Sequence, residues 1–589
     1  MNLPTDGATA LVYSRADALK LSSTGSRIER LLSFTPNATH EALTAGYQSV
    51  DAMAGYDEYR HAEAITQGEL IKHRWLTAIG AQSQHDSPLV YTIGFAIDVF
   101  LHGFSRIDFG LSGDGPWFVP SAEKWRKIDD REAALRAFGF HILGHYGSFL
   151  GRFEMRLPPF PGLYRMLLRV MSRLGRPQEK EWLTSRSDHP LHLDRELFAI
   201  YPQSRQWYIG YAELGIKEYI RLGREAFRLL SGYPHIQIRL APKQETQVAE
   251  LYDEYIAQIP SGRLKAAFER FPEIKNIAVA AHCARKECEG LLPHIGVKNM
   301  LATEISDPIT AALYQACGSL GMRRCIANHN AFSPQASERN RSSLGRQISH
   351  QYGEFQAEQM LFWNPPSLLA GRQTCSPAAD RMAGLNIITT SEMDAEIPDS
   401  STFTILYASN AMRFFSHADW IYESVNELAG SITCLLDECF ESSQDDYIIR
   451  CKSRRFELDE KALRSVAPNS DRITIKFRND NPFVEDLARA DLLIAFRSTT
   501  VFEALYARKP VLLWGESGRF RDLDGRCEPP SGSDRSAVYV VYDRKRLPSM
   551  IDAIREAHHG KPLTDEELDG FLWSAETPPA AEWARKWPD

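Results

Sequence analysis

No CxxC pair occurs in the chain, and its nine cysteines are scattered, which excludes a zinc ribbon and a disulfide framework and points to a reducing cytosol. An excess of positive charge is missing too. With 68 Lys and Arg against 76 Asp and Glu, the net charge is -8, so no global basic field draws a nucleic-acid backbone; a small phosphate-bearing ligand fits better. Long hydrophobic runs are also lacking. The longest, PLVYTIGFAIDVFLHGF, is broken by Asp98 and falls short of the ~20 residues of a spanning helix. The opening MNLPTDGATALVYSRADALK has no charged start, apolar core and small-residue cleavage site, so a cytoplasmic protein, neither secreted nor transmembrane, is expected. No repeat period or low-complexity tract appears.

What is present is ordinary globular sequence, 43% hydrophobic and 24% charged, long enough for roughly three or four units of 100–200 residues. RLLSF followed by the helical pattern ATHEALTAGYQSV reads as an opening strand and helix, with Ala38 or Thr39 at the start and Gly46 at the end. Residues 61–267 read as a mainly helical insertion. Strands then alternate with helices: NIAVAAH, NMLATE, a helix opened by Ser306-Asp307-Pro308 and ended by Gly321, and RRCIANH. This βαβ pattern predicts a parallel sheet. A Pro/Gly/Ser/Thr-rich stretch at 364–400 suits a linker. Five further strands follow, in TFTILYASN, DYIIRCKS, RITIKF, DLLIAF and PVLLWG. The expected division is 1–60 and 268–395 as one Rossmann-like domain with its linker, 61–267 inserted into it, 396–560 as a second Rossmann-like domain, and 561–589 as a tail across the domains.

Open parallel sheets bind ligands just beyond the carboxyl ends of their strands, so the residues after each strand matter most. In the second domain these are Ser409, Asn410 and Arg413; Arg450, Lys452 and Arg454; Arg478, Asn479, Asn481 and Pro482; and Arg497, Ser498, Thr499 and Thr500, with Glu503 one turn further on. Hydroxyls and a cation at a helix start make a phosphate cradle. Thr500-x-x-Glu503 reads equally as a capping box, and the basic run after DYIIR equally as a solvated face. In the first domain the post-strand residues are His282 with Arg285, Glu304, and His329; Glu304, His329 and His282 are the candidates for a general base toward an acceptor hydroxyl. Each histidine reads equally as one satisfied at a strand end.

The segment ADLLIAFRSTTVFEALYARKPVLLWG resembles the donor-binding region of bacterial surface-polysaccharide glycosyltransferases of the GT-B fold, where a Ser/Thr cluster opens a helix bearing EAL and a KPVLL strand follows. NMLATEISDPITAALYQACGSLGMRRCIANHNAF looks like the other half of the same enzymes, and LLSFTPNATHEALTAGYQSV like their first strand and helix. Two departures stand out. Asn328-His329-Asn330 replaces the usual Gln-His-Gly, and RCKSRR replaces the His-Pro of sialyl- and Kdo-transferases.

The resemblance implies an α/β, GT-B-like chain of two doubly wound Rossmann-like domains with a large helical insertion in the first. It implies transfer of a sugar from a nucleotide-activated donor, foremost a CMP-linked nonulosonate or Kdo, to a glycan or lipid-linked glycan acceptor in surface polysaccharide biosynthesis (capsule or lipopolysaccharide). None of the polar donor loops carries an Asp-x-Asp pair, so no metal and no other cofactor is expected; cationic side chains stabilise the leaving phosphate instead. The alternatives are a nucleotide-sugar epimerase or polyol-phosphate transferase on the same scaffold, and a non-catalytic binding protein. LPPFPGLYRMLLRVMSRLGRP, apolar beside four arginines, suits peripheral attachment to the inner membrane, or packing on its own domain.

Overall fold

The structure, a computed structural model, describes residues 9–23, 28, 30–56, 58–111, 115–121, 124–145, 166–167, 170, 181–185, 205–211, 220, 224, 235–240, 245–295, 297–302, 305, 307–328, 332, 341, 345, 348–349, 352, 356–385, 402–409, 414–415, 423–452, 457–477, 482–516 and 523–574. Short apolar runs pair in parallel here because helices cover both of their faces. The first sheet contains β1 (Thr9–Val12), β2 (Arg30–Ser33), β3 (Ser49–Asp51), β4 (Trp117–Pro120) and β5 (Trp125–Ile128), in the order β3-β2-β1-β4-β5. All pairs are parallel except β4 with β5. Alternation along β1 sends Leu11 to the core that holds helix Pro88–Gly110, and Ala10 and Val12 to the opposite face.

That helix is long and apolar enough to cross a membrane, but 83% of its most apolar stretch lies inside the protein. Asp98, which breaks its apolar run, is paired with Lys72 at 2.9 Å. It is a core helix.

The second sheet contains β6 (Glu181–Ser185), β7 (Arg205–Tyr211), β8 (His235–Leu240), β9 (Asn299–Ala302), β10 (Arg323–Asn328), β11 (Gln359–Phe362) and β12 (Met382–Gly384), ordered β12-β11-β10-β9-β6-β7-β8. The crossover between β9 and β10 follows the sequence pattern. Asp307 caps helix Pro308–Ser319 through the N–H groups of Ile309 and Thr310, both at 3.0 Å, and Gly321 leaves it at φ +68, where a side chain would be strained.

The third sheet contains β13 (Thr404–Ser409), β14 (Asp446–Cys451), β15 (Ile473–Phe477), β16 (Leu492–Ala495), β17 (Val511–Leu513) and β18 (Val538–Val540), ordered β15-β14-β13-β16-β17-β18. Its first strand is central and the winding reverses beside it, as in Rossmann sheets. Leu406, Ile448, Leu493 and Val511 point to one core, and Ile405, Ile449, Ile494 and Leu512 to the other. Helix Thr500–Tyr506 lies between the second and third sheets, with Phe502 and Trp363 ring centroids 5.2 Å apart.

The α/β class and the pair of Rossmann-like units are as expected, in the second and third sheets. The contents of the expected insertion differ. Residues 61–267 supply β4–β8, three of which open the second sheet, whereas the strands within residues 1–60 build a separate sheet. NIAVAAH is not a strand but part of helix Pro272–Ile295. Ile274, Ile277, Ala278, Ala281, Ala284, Cys288, Leu291 and Leu292 are all buried, a stripe at helical spacing that a seven-residue window cuts short. The third sheet also has a sixth strand, β18. Most of LPPFPGLYRMLLRVMSRLGRP lies outside the described residues.

Beneath β18, the Tyr539 hydroxyl and His558 Nε2 are 2.8 Å apart. Burial, aided by the charge of Arg535, pushes the His558 imidazole down from 6.5 to about 4. As the pH falls below 6.5 the unfolded chain takes up this proton and the folded chain does not, so stability is lost between pH 6.5 and about 4. In His558→Gln, the melting temperature is expected to fall less than in the parent between pH 7 and pH 5. Equal falls in a melting series would remove His558 from the acid response.

Candidate functional site

In each doubly wound sheet the loops leave in opposite directions on either side of the switch point, opening a crevice at the carboxyl edge. In the third sheet this lies between β13 and β16. Ser409 pairs with Cys451, and Tyr407 with Ile494, so the ends Ser409, Lys452 and Arg497 emerge at nearly one level. Arg497 is 2% exposed, and its guanidinium lies 5.6 Å from the ring centroid of Phe332, which follows β10 of the second sheet. Two carboxyl edges therefore meet at this corner.

The Ser498 hydroxyl accepts from the Thr500 N–H at 3.3 Å. Thr499 is the N-cap but makes no side-chain cap bond, and the helix has only 7 residues, so its dipole adds little to an anion site. Glu503 closes no capping box. Burial raises its carboxyl above the ordinary range, against the opposing charges of Lys452 and Arg450.

The other expected site residues divide into three groups. Arg450 is held by Asp486 at 2.5 Å, in a site where Asp486 is 1% exposed and also binds Lys476; its charge is met inside the unit, whereas Lys452 is exposed. His282 sits within a long helix, not after a strand, which corrects its assignment as a post-strand base; burial and then Lys286 and Arg285 lower its pKa. Glu304, His329, Asn410, Arg413, Arg478 and Asn481 lie outside the described residues, and only the backbone of Ser409 is described.

The first sheet also turns its carboxyl edge toward the third unit. Phe414, beyond β13, stands 5.8 Å from Tyr13 and 6.0 Å from Phe34 between ring centroids. The Tyr13 hydroxyl donates to Glu457, and Arg15 reaches both Asp459 oxygens, at 2.5 and 3.0 Å. Beside this contact lies a cavity of about 650 Å³, lined by Thr39, His40, Asp51 and Tyr56 from the first unit and by Asn426, Glu427 and Glu516 from the third. That volume is in the range of small-molecule sites.

Asp51 ends β3. It accepts from the Asn426 side-chain amide at 2.7 Å and from the Met53 N–H at 2.9 Å. Burial raises its carboxyl above the ordinary range, more than these bonds lower it. Such a carboxylate is oriented and more basic than usual, the properties of a general base. With Asp51, Glu427 and Glu516 on its wall, the cavity offers acceptors to hydroxyl groups and repels phosphate. Sequence reading missed Asp51 because it ran QSV into the preceding helical pattern, and missed Glu427 and Glu516 because it looked for cations and hydroxyls at the third sheet's strand ends. The post-strand rule applied to QSVD would have found Asp51.

No family model matches the chain, and no curated protein does. Similar solved structures include the UDP-GlcNAc 2-epimerase of Neisseria meningitidis bound to UDP-GlcNAc (10% identity, 66% of this chain and 96% of that chain, TM-score 0.37). Others are MurG of Acinetobacter baumannii (12%, 65% and 93%, TM-score 0.33) and the lipopolysaccharide outer core galactosyltransferase WaaB (8%, 66% and 93%, TM-score 0.36).

Proposed function

We propose that the protein is a glycosyltransferase that takes a nucleotide-activated sugar at the carboxyl edge of the third sheet and passes the sugar to a hydroxyl of a glycan or glycolipid acceptor. The observation that carries this reading is the meeting of the carboxyl edges of two doubly wound sheets at Arg497 and Phe332, with a cavity of about 650 Å³ between the first and third units as the candidate acceptor pocket. The donor phosphate lies toward Lys452, Arg497 and Ser498, where cations oppose the charge that develops as the glycosidic bond breaks. The acceptor occupies the carboxylate-lined cavity, and Asp51 removes the proton of the attacking hydroxyl. Glu304 and His329, the bases expected from the sequence, are the rivals of Asp51 for that role. The donor class is a CMP-linked acidic sugar and the setting is the cytoplasm, as the sequence resemblance implies.

A thermal-shift screen of CMP, UDP, GDP and their sugars tests the donor. CMP and CMP-linked acidic sugars are expected to raise the melting temperature, because a ligand that binds only the folded state stabilises it. A response to UDP alone removes the acidic-sugar assignment, and no response to any nucleotide removes the donor site. Lys452→Ala, at an exposed position, is expected to shrink the shift without changing the unliganded melting temperature.

With a donor and acceptor in hand, Asp51→Asn is expected to keep the nucleotide shift and lose roughly 10²- to 10⁴-fold in kcat, the usual contribution of a positioned base. The parent enzyme is expected to lose activity on acidification at a pH above the ordinary carboxylate range, as Asp51 takes up a proton. Donor interconversion without net transfer would identify an epimerase instead.

A further inference from the structure

A second constellation lies at the carboxyl edge of the first sheet, and none of its residues lines the cavity. Helix Arg131–His145 carries His141 and His145 four residues apart, hence on one face. Opposite them is Asp17, in the first turn of helix Arg15–Ser22, which follows β1. Asp17 is held before any ligand arrives, because its Oδ2 accepts from the N–H groups of Tyr13 at 3.1 Å and Ser14 at 2.9 Å. The three side chains are largely sequestered, at 7%, 16% and 25% exposed for Asp17, His141 and His145. Phe138 stacks against His141, and the Tyr13 ring lies 5.4 Å from that of His145.

The distances among the donor atoms are informative. His141 Nε2 is 3.0 Å from both Asp17 oxygens and 3.2 Å from His145 Nε2, and His145 Nε2 is 4.0 Å from Asp17 Oδ2. Ligands at about 2.0–2.1 Å in a tetrahedron are separated by roughly 3.3–3.4 Å, and this triangle brackets that value. Two nitrogens and one carboxylate oxygen are the donor set of a borderline cation, not of magnesium or calcium, which prefer oxygen alone.

We propose that Asp17, His141 and His145 bind one divalent first-row transition ion of the zinc class. Three protein ligands leave a fourth tetrahedral position for water, the pattern of reactive rather than purely structural zinc sites. The backbone bonds to Asp17 serve as the outer partners that aim a ligand. The site is separate from the donor corner and independent of the sugar-transfer reading.

The test uses the full chain, stripped with a chelator and titrated with zinc chloride by calorimetry, with bound metal counted by elemental analysis. One equivalent is expected, with a higher melting temperature in zinc than in chelator. His145→Ala is expected to weaken binding by more than the roughly 100-fold that loss of an outer partner costs, with an unchanged melting temperature in chelator. Should that variant fail to fold, cobalt substitution of the parent decides: intense visible bands of a tetrahedral ion support the site, and weak octahedral bands overturn it. Absence of binding to the parent, or one tightly held equivalent in folded His145→Ala, also overturns it and leaves the triad as a hydrogen-bond relay.

Discussion

Asp486→Ala is expected to destabilise the third unit by about 3–5 kcal/mol, the cost of removing one partner from a buried ion pair. Arg450 and Lys476 are directly paired across β14 and β15, an arrangement of like charges that weakens a sheet unless something intervenes. Asp486, from helix Phe483–Arg489, intervenes: it is 1% exposed and contacts both cations. The Phe483 ring, 5.7 Å from the Arg450 guanidinium, closes the apolar side. Without the carboxylate, two positive groups stay in a poorly hydrated site and repel one another. Urea unfolding followed by a probe in this unit measures the loss. In the triple variant Asp486→Ala, Arg450→Met, Lys476→Met, most of it is expected to return. A single-variant loss under about 1 kcal/mol would mean that water already screens the group, as at exposed pairs.

Gly515→Ala is the second large effect expected, and it joins stability to binding. A Cβ at Gly515 would overlap the ring edge of Phe496, which is 2% exposed and packed into the core of the second sheet. Overpacking of this kind costs about 1–3 kcal/mol. Phe496 immediately precedes Arg497, so its displacement also moves the corner assigned to the donor phosphate, and the nucleotide-induced melting shift is expected to vanish. Gly262→Ala is the matched control. A Cβ there meets nothing within 4 Å, and the change is expected to be neutral or slightly stabilising through the unfolded chain. If the two substitutions behave alike in melting and nucleotide response, Gly515 is not the spacer that sets this corner.

The third unit was the most legible part of the sequence, because its buried strands are short apolar runs separated by turn residues, and Arg497–Thr500 does follow β16 at the switch point. The same logic failed at residues 276–282, where an apolar run belongs to a 24-residue helix; only the longer buried stripe distinguishes the two. It failed again across 61–267, where β6–β8 (EWLTS, RQWYIGY and HIQIRL) mix polar with apolar residues and do not read as continuous apolar runs. The sites were legible one segment at a time. Asp51 and Asn426 are 375 residues apart, and Asp17 and His141 are 124 apart. No local spacing announces such pairs. Arg450, read from its position after an apolar run as a ligand contact, has its charge met by a buried carboxylate from the helix after β15, a partner 36 residues away.

The clasp between the first and third units also sets an order of events during synthesis. Tyr13, Arg15 and Asn37 are translated early, yet their partners Glu457 and Asp459 emerge only after more than 400 further residues. At about 5–20 residues per second, that edge waits roughly 20–90 s in an incomplete chain. During that interval its polar groups are satisfied by water or by a chaperone, and the first unit is at its most vulnerable to mispairing and proteolysis before the last third of the protein closes over it.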